Sequence, residues 1–125
     1  LTGREAAKYM KKRNRGSIFF TGATASMRGG SGFSAFSSAK FALRALAQSM
    51  ARELGPQGIH VAHFIIDGAI DTAFIKEIFP DTYALKEKDG ILQPEAIADA
   101  YWFVHTQHRS AWTHELDLRP YMEKF

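Results

Sequence analysis

The chain has 125 residues, 46% of them hydrophobic and 23% charged, which fits one globular domain with a real core. It has no cysteine, which excludes disulfides, thiolate metal sites and cysteine nucleophiles and fits a reducing compartment. No apolar run approaches the roughly 20 residues a bilayer requires and no secretory leader pattern opens the chain, so a cytoplasmic protein with no membrane partner is expected.

The net charge of +3 comes largely from Lys8, Lys11, Lys12, Arg13 and Arg15. These cations fall in the last turns of a predicted helix over Thr2 to Asn14, where positive charge complements the helix dipole. No aromatic platform or base-reading motif accompanies them, so a solvated helix end is preferred to a nucleic-acid surface. Gly16 is expected to close this helix. Ser17 to Thr21, SIFFT, is an apolar run of strand formers and predicts a buried strand. Gly22 to Gly32 follows as a glycine-rich loop able to bring backbone close to a ligand.

A long helix is predicted from Phe33 to Leu54, with Ala39, Leu43, Leu46, Ala47, Met50 and Leu54 as its core stripe. Phe36 and Lys40 share one face of its first turns, where a lysine near apolar surface calls for a partner such as Asp67, a backbone carbonyl or a ligand. Phe41, Ala45, Gln48 and Arg52 form a second stripe, too apolar at Phe41 for a purely solvated face. Gly55, Pro56 and Gly58 end the helix, and Ile59 to Ile66, IHVAHFII, predicts a second buried strand.

Strand, helix and strand in this order give an α/β class with a parallel sheet and helices on both faces. Ligands of such sheets bind beyond the carboxyl ends of the strands, here Thr21 to Ser26 and Asp67 to Thr72. Phe74, Ile75, Ile78 and Phe79 then recur at helical spacing, read equally well as a mobile lid or as a short packing helix. Pro94 to Gln107 predicts a helix opened by Pro94 and Glu95, and Ala111 to Leu118 a last strand. No repeat or linker divides residues 1–125, which are read as one domain.

Three motif readings are set aside. Gly30-Ser31-Gly32-Phe33-Ser34-Ala35 matches G-x-G-x-x-A, but it stands too far from its strand and no acidic residue closes the next strand at the required distance. His60 and His63 point to opposite sides of a strand, and His105 and His108 have no carboxylate pattern, so no metal site is expected. The spacing G-x-S-x-G is absent, which excludes that hydrolase elbow.

The stretch GSIFFTGATASMRGGSGFSAFSSAKFALRALAQSMARELGPQGIHVAHFIIDGAIDT resembles the second half of a short-chain dehydrogenase/reductase. It carries, in order, the family's strand, active-site loop, Tyr-x-x-x-Lys helix and Pro-Gly-x-Ile-x-Thr loop. The tail agrees, with Leu92 to Ala98 similar to the penultimate helix and Ala111 to Leu118 to the last strand. The resemblance implies a Rossmann-like, doubly wound parallel sheet with flanking helices, of which the carboxyl-terminal half is present. It implies an oxidoreductase that transfers hydride between NAD or NADP and a small carbonyl or alcohol substrate, assembled as a homodimer or homotetramer through the first and the long helix.

Residue by residue, Lys40 matches the family lysine that holds the nicotinamide ribose. Phe36 stands where the catalytic tyrosine belongs and Ala23 where the serine belongs. Asp67 replaces the proline of the cofactor loop, while Gly68, Ile70 and Thr72 match its glycine, isoleucine and threonine. Thr24, Ser26, Phe33 and Phe36 are expected to line the substrate pocket. A benzyl ring has no proton to give, so the alternative implied is a silent relative that binds dinucleotide or assembles subunits. Thr21, Thr24 and Ser26 carry hydroxyls able to reach a substrate oxygen, and Tyr83 is a further candidate acid.

Overall fold

A computed structural model describes all residues from Leu1 to Phe125. Helix α1 (Thr2–Lys11) leads into strand β1 (Gly16–Ala23), and the long helix α2 (Ser34–Leu54) into strand β2 (Ile59–Ile66). After β2 come two short helices, α3 (Ala73–Ile78) and α4 (Pro80–Tyr83), then helix α5 (Pro94–His105) and strand β3 (Glu115–Leu118). The three strands form one parallel sheet in the order β1-β2-β3, with Gly16 opposite Ile59, Ala23 opposite Ile66, and His63 opposite Glu115. The α/β class and parallel sheet expected from the residues are therefore present.

The central strand is buried at every position, as its unbroken apolar run requires when helices cover both faces. Ile59 and Val61 point to one side and pack with Ala7, Ile18 and Leu54 beneath α1 and α2. Ala62, Phe64 and Ile66 point to the other and pack with Leu92 and Val104 beneath α5. His60 is buried on the α5 side, stacked on Trp112 with ring centroids 4.6 Å apart, and its Nε2 meets the Thr113 carbonyl at 2.7 Å. Burial pushes this imidazole below its ordinary pKa.

Several boundaries differ from expectation, each for a local reason. Gly16 does not close α1: Asn14 takes the left-handed turn (φ 50°) and Gly16 opens β1 against Met10. Strand β1 runs two residues past Thr21 because β2 offers ladder partners as far as Ile66. The last strand is only Glu115–Leu118, since Arg109–Ala111 forms a 3-10 turn. On α2 the buried positions are Ser37, Ala47 and Leu54, while Ala39 and Leu46 are exposed. The core face is thus rotated from the predicted stripe, toward Arg44, whose charge is met by a carboxylate on β3. Neither α3 nor α4 has a buried residue, and Phe74 and Phe79 pack edge to face against each other.

Candidate functional site

The carboxyl ends of β1 and β2 open onto a cavity of about 450 Å³. Its walls come from the turn after β1 (Ala23, Thr24, Ala25, Arg28), the start of α2 (Phe33, Phe36, Ser37) and the end of β2 (Ile66, Gly68). This is where a parallel sheet binds ligands, because the strands stop and the connections splay apart. The cavity is mostly apolar, with Thr24, Arg28 and Ser37 as its polar side chains.

The expected pocket residues divide. Thr24, Phe33 and Phe36 line the cavity, whereas Ser26 is fully buried and turns inward, its Oγ accepting the Ala23 N–H at 3.0 Å. Thr21 faces the other side of the sheet, where its hydroxyl meets the Tyr101 hydroxyl at 2.7 Å. Of the three hydroxyls expected near a substrate oxygen, Thr24 alone reaches the cavity. Tyr83 lies outside its walls, with the ammonium groups of Lys76 and Lys86 over its ring.

Lys40 lies one turn beyond Phe36 on α2 and donates to the Thr21 carbonyl at 3.0 Å. This contact orients the ammonium at the end of β1 and leaves two of its three protons free. Asp67 is not its partner. That buried carboxylate accepts from the Thr24 hydroxyl at 2.5 Å and pairs with Arg28 and Arg119, each at 3.5 Å. Arg119 also pairs with Asp117, which steers its guanidinium.

Beyond Asp67 the chain turns at Gly68 (φ 149°), where Pro120 packs close and a side chain would be strained. Ile70 then forms an isolated parallel bridge with Leu92. The bridge bonds run from Leu92 N–H to the Ala69 carbonyl and from Asp71 N–H to the Leu92 carbonyl, both 2.8 Å. The Ile70 N–H and C=O have no backbone partner and stand free as one donor and one acceptor. Thr72 caps α3, its Oγ1 accepting the Ile75 N–H at 3.3 Å, and keeps its own proton to donate. Asp71 holds this segment through Lys86 at 2.6 Å, and that contact keeps its carboxyl below the ordinary range.

A donor and acceptor pair at Ile70, an ammonium at Lys40 with two protons still to donate and an apolar cavity match the needs of a nicotinamide end: a carboxamide, ribose hydroxyls and a flat ring. The residues present therefore fit the group that the family resemblance implies.

Beneath the site lies a network with no sequence signature. Arg44 grips Glu115 with two bonds of 2.8 Å, and His63 Nδ1 meets the same carboxylate at 3.0 Å. Arg44 holds the Glu115 carboxyl below the ordinary glutamate range, His63 adds to this, and partial burial opposes it. The far nitrogen of His63 is buried over Gly22, where any β-carbon would collide with it and with Ser26 Oγ. Gly22, Ser26, His63 and Glu115 thereby form the floor under the turn that carries Ala23 and Thr24. Serine, histidine and carboxylate lie near one another here, but Ser26 and His63 are sealed from solvent, which excludes a nucleophile.

The chain matches the short chain dehydrogenase family over residues 1–82. It belongs to that family. It is 34% identical over 92 residues to the 3-dehydrosphinganine reductase of Danio rerio, covering 71% of this chain and 28% of that protein. The 3-ketodihydrosphingosine reductase of Bos taurus is 32% identical over the same coverage. Among solved structures, a short-chain dehydrogenase from Rhodopseudomonas palustris is 52% identical, with a TM-score of 0.72 over 95% of this chain and 45% of that one. A 7α-hydroxysteroid dehydrogenase complexed with NADH and 7-oxo glycochenodeoxycholic acid is 25% identical, with a TM-score of 0.76 over 92% and 47%. The chain thus spans under a third of the curated relatives and about half of the solved ones.

Proposed function

We propose that this chain forms the nicotinamide and substrate half of a dinucleotide-dependent oxidoreductase acting on a small carbonyl or alcohol compound. One observation carries the reading: Lys40 and the free Ile70 backbone pair stand at the same end of the sheet as the one mostly apolar cavity that both strands open onto. A bound nicotinamide would supply hydride transfer. Lys40 would hold ribose hydroxyls, Ile70 the carboxamide, and Phe33, Phe36 and Ile66 would keep water from the reacting carbon. The names of the curated relatives, a 3-dehydrosphinganine reductase and a 3-ketodihydrosphingosine reductase, support a carbonyl substrate. The family resemblance also supports pairing of two copies through α1 and the exposed face of α2.

The test is dinucleotide binding by the full-length protein, followed by NADH and NADPH fluorescence. Lys40→Ala should weaken binding roughly 10- to 100-fold, as loss of charge-assisted hydrogen bonds does. Unchanged affinity would discard the role given to Lys40. Binding without turnover of any aldehyde, ketone, alcohol or quinone would point instead to a silent relative.

A further inference from the structure

Phe36 and Ala23 leave the cavity without the family's proton-handling hydroxyls, yet one hydroxyl inside it is wired to a buried charge. Thr24 lines the cavity and donates to Asp67 Oδ1 at 2.5 Å, so the lone pairs of its oxygen remain open to a donor from the cavity side. Asp67 lies behind it, its side chain 5% exposed, with Arg28 and Arg119 both on the carboxylate. The Thr24 hydroxyl proton is thus aimed at a carboxylate oxygen that Arg28 and Arg119 hold in place. Arg28 is itself half-exposed at the cavity wall, so the carboxylate has one route to water.

From this geometry we infer that Thr24 and Asp67 form the proton relay of the site, taking up the alcohol proton when an alcohol is oxidised. The inference rests on the dinucleotide reading above. As the hydride leaves the carbinol carbon for the oxidised nicotinamide with the electron pair of its C–H bond, the C=O bond forms and the alcohol O–H breaks. The alcohol proton passes to Thr24 Oγ1 while the proton of Thr24 passes to Asp67 Oδ1. Asp67 ends as the neutral acid and returns its proton to water past Arg28. In reduction of a carbonyl the same path runs in reverse, from Asp67 through Thr24 to the substrate oxygen.

Thr24→Val removes only the hydroxyl and leaves Asp67 with both arginines, so it isolates the relay. In the full-length protein, dinucleotide affinity should stay within about 3-fold, and single-turnover alcohol oxidation should fall about 10²- to 10⁴-fold, the usual worth of general base help. Asp67→Asn should lose a comparable factor, and Thr24→Ser should keep the rate within about 10-fold. A readout free of turnover is the Thr24 hydroxyl proton in the unliganded protein: a slowly exchanging downfield resonance should vanish in Thr24→Val and Asp67→Asn. An oxidation rate untouched by Thr24→Val, with binding intact, overturns the relay and leaves the dinucleotide reading standing. Failure of the wild type to bind dinucleotide overturns both.

Discussion

Phe36 and Lys40 sit a turn apart on α2, and their contrast defines what single residues decide in this protein. Lys40 kept its place and found a carbonyl to orient it; Phe36 kept the shape of an aromatic wall and lost the proton. Restoring both missing hydroxyls, Phe36→Tyr with Ala23→Ser, should raise carbonyl reduction by as much as about 10²- to 10⁴-fold, measured by single-turnover NADPH oxidation over a panel of aldehydes and ketones. Spacing singled out Lys40, Gly68, Ile70 and Thr72 in the sequence, because Lys40 follows Phe36 by four residues and the other three fall within one short loop motif. The company of Asp67 was not legible. Arg119 reaches it only because β3 pairs in parallel with β2 and delivers the residue after Leu118 beside the end of the neighbouring strand. Ser26 was misplaced for a similar reason: a 3-10 turn over Thr24–Ser26 reverses the side chain inward, to the Ala23 N–H.

At the level of elements, α2 shows how a charge can displace an apolar stripe. Periodicity alone put Leu46 in the core and left Arg44 outside, yet Arg44 is the better-covered residue because Glu115 gives its guanidinium two bonds. Arg44→Met should destabilise the full-length protein by about 1.5–3 kcal/mol in urea titrations near neutral pH, the worth of a charged hydrogen bond and the loss of Glu115's partner. The pH dependence has a definite sign. The Glu115 pKa is lowered on folding, so its contribution is complete above the ordinary glutamate value of about 4.3 and is lost as pH falls through the lower folded value. Wild-type and Arg44→Met stabilities should therefore converge in acid and differ most above about pH 5. A constant gap down to the lowest pH would show that packing, not the carboxylate, makes the difference.

For the molecule as a whole, the order strand, helix, strand, helix, strand was readable because the first two strands are largely apolar runs set off by glycines, because α2 is long, and because the last strand alternates. The short helices after β2 were ambiguous, since an apolar rhythm over six residues does not say whether anything covers it; Phe74, Ile78 and Phe79 remain at least half exposed. The same question applies to the outer face of α2, where Phe41 is 43% exposed. If two copies pair there, Phe41→Asp with Arg52→Glu should give monomers in sedimentation of the full-length protein, and an unchanged mass would discard that interface.

The position of β1 complicates any such measurement. It is one of the two edge strands of the sheet and the longer of them, bonded to β2 on one side, so its other side presents a row of amide and carbonyl groups with no ladder partner. Residues 1–125 prepared by themselves would offer that row to one another and associate strand to strand, giving a larger mass by a route that has nothing to do with α2. Such particles should resist Phe41→Asp and dissolve when a proline enters β1 at an outward N–H. The sheet edge, rather than the helix face, would then govern how the isolated segment behaves in solution.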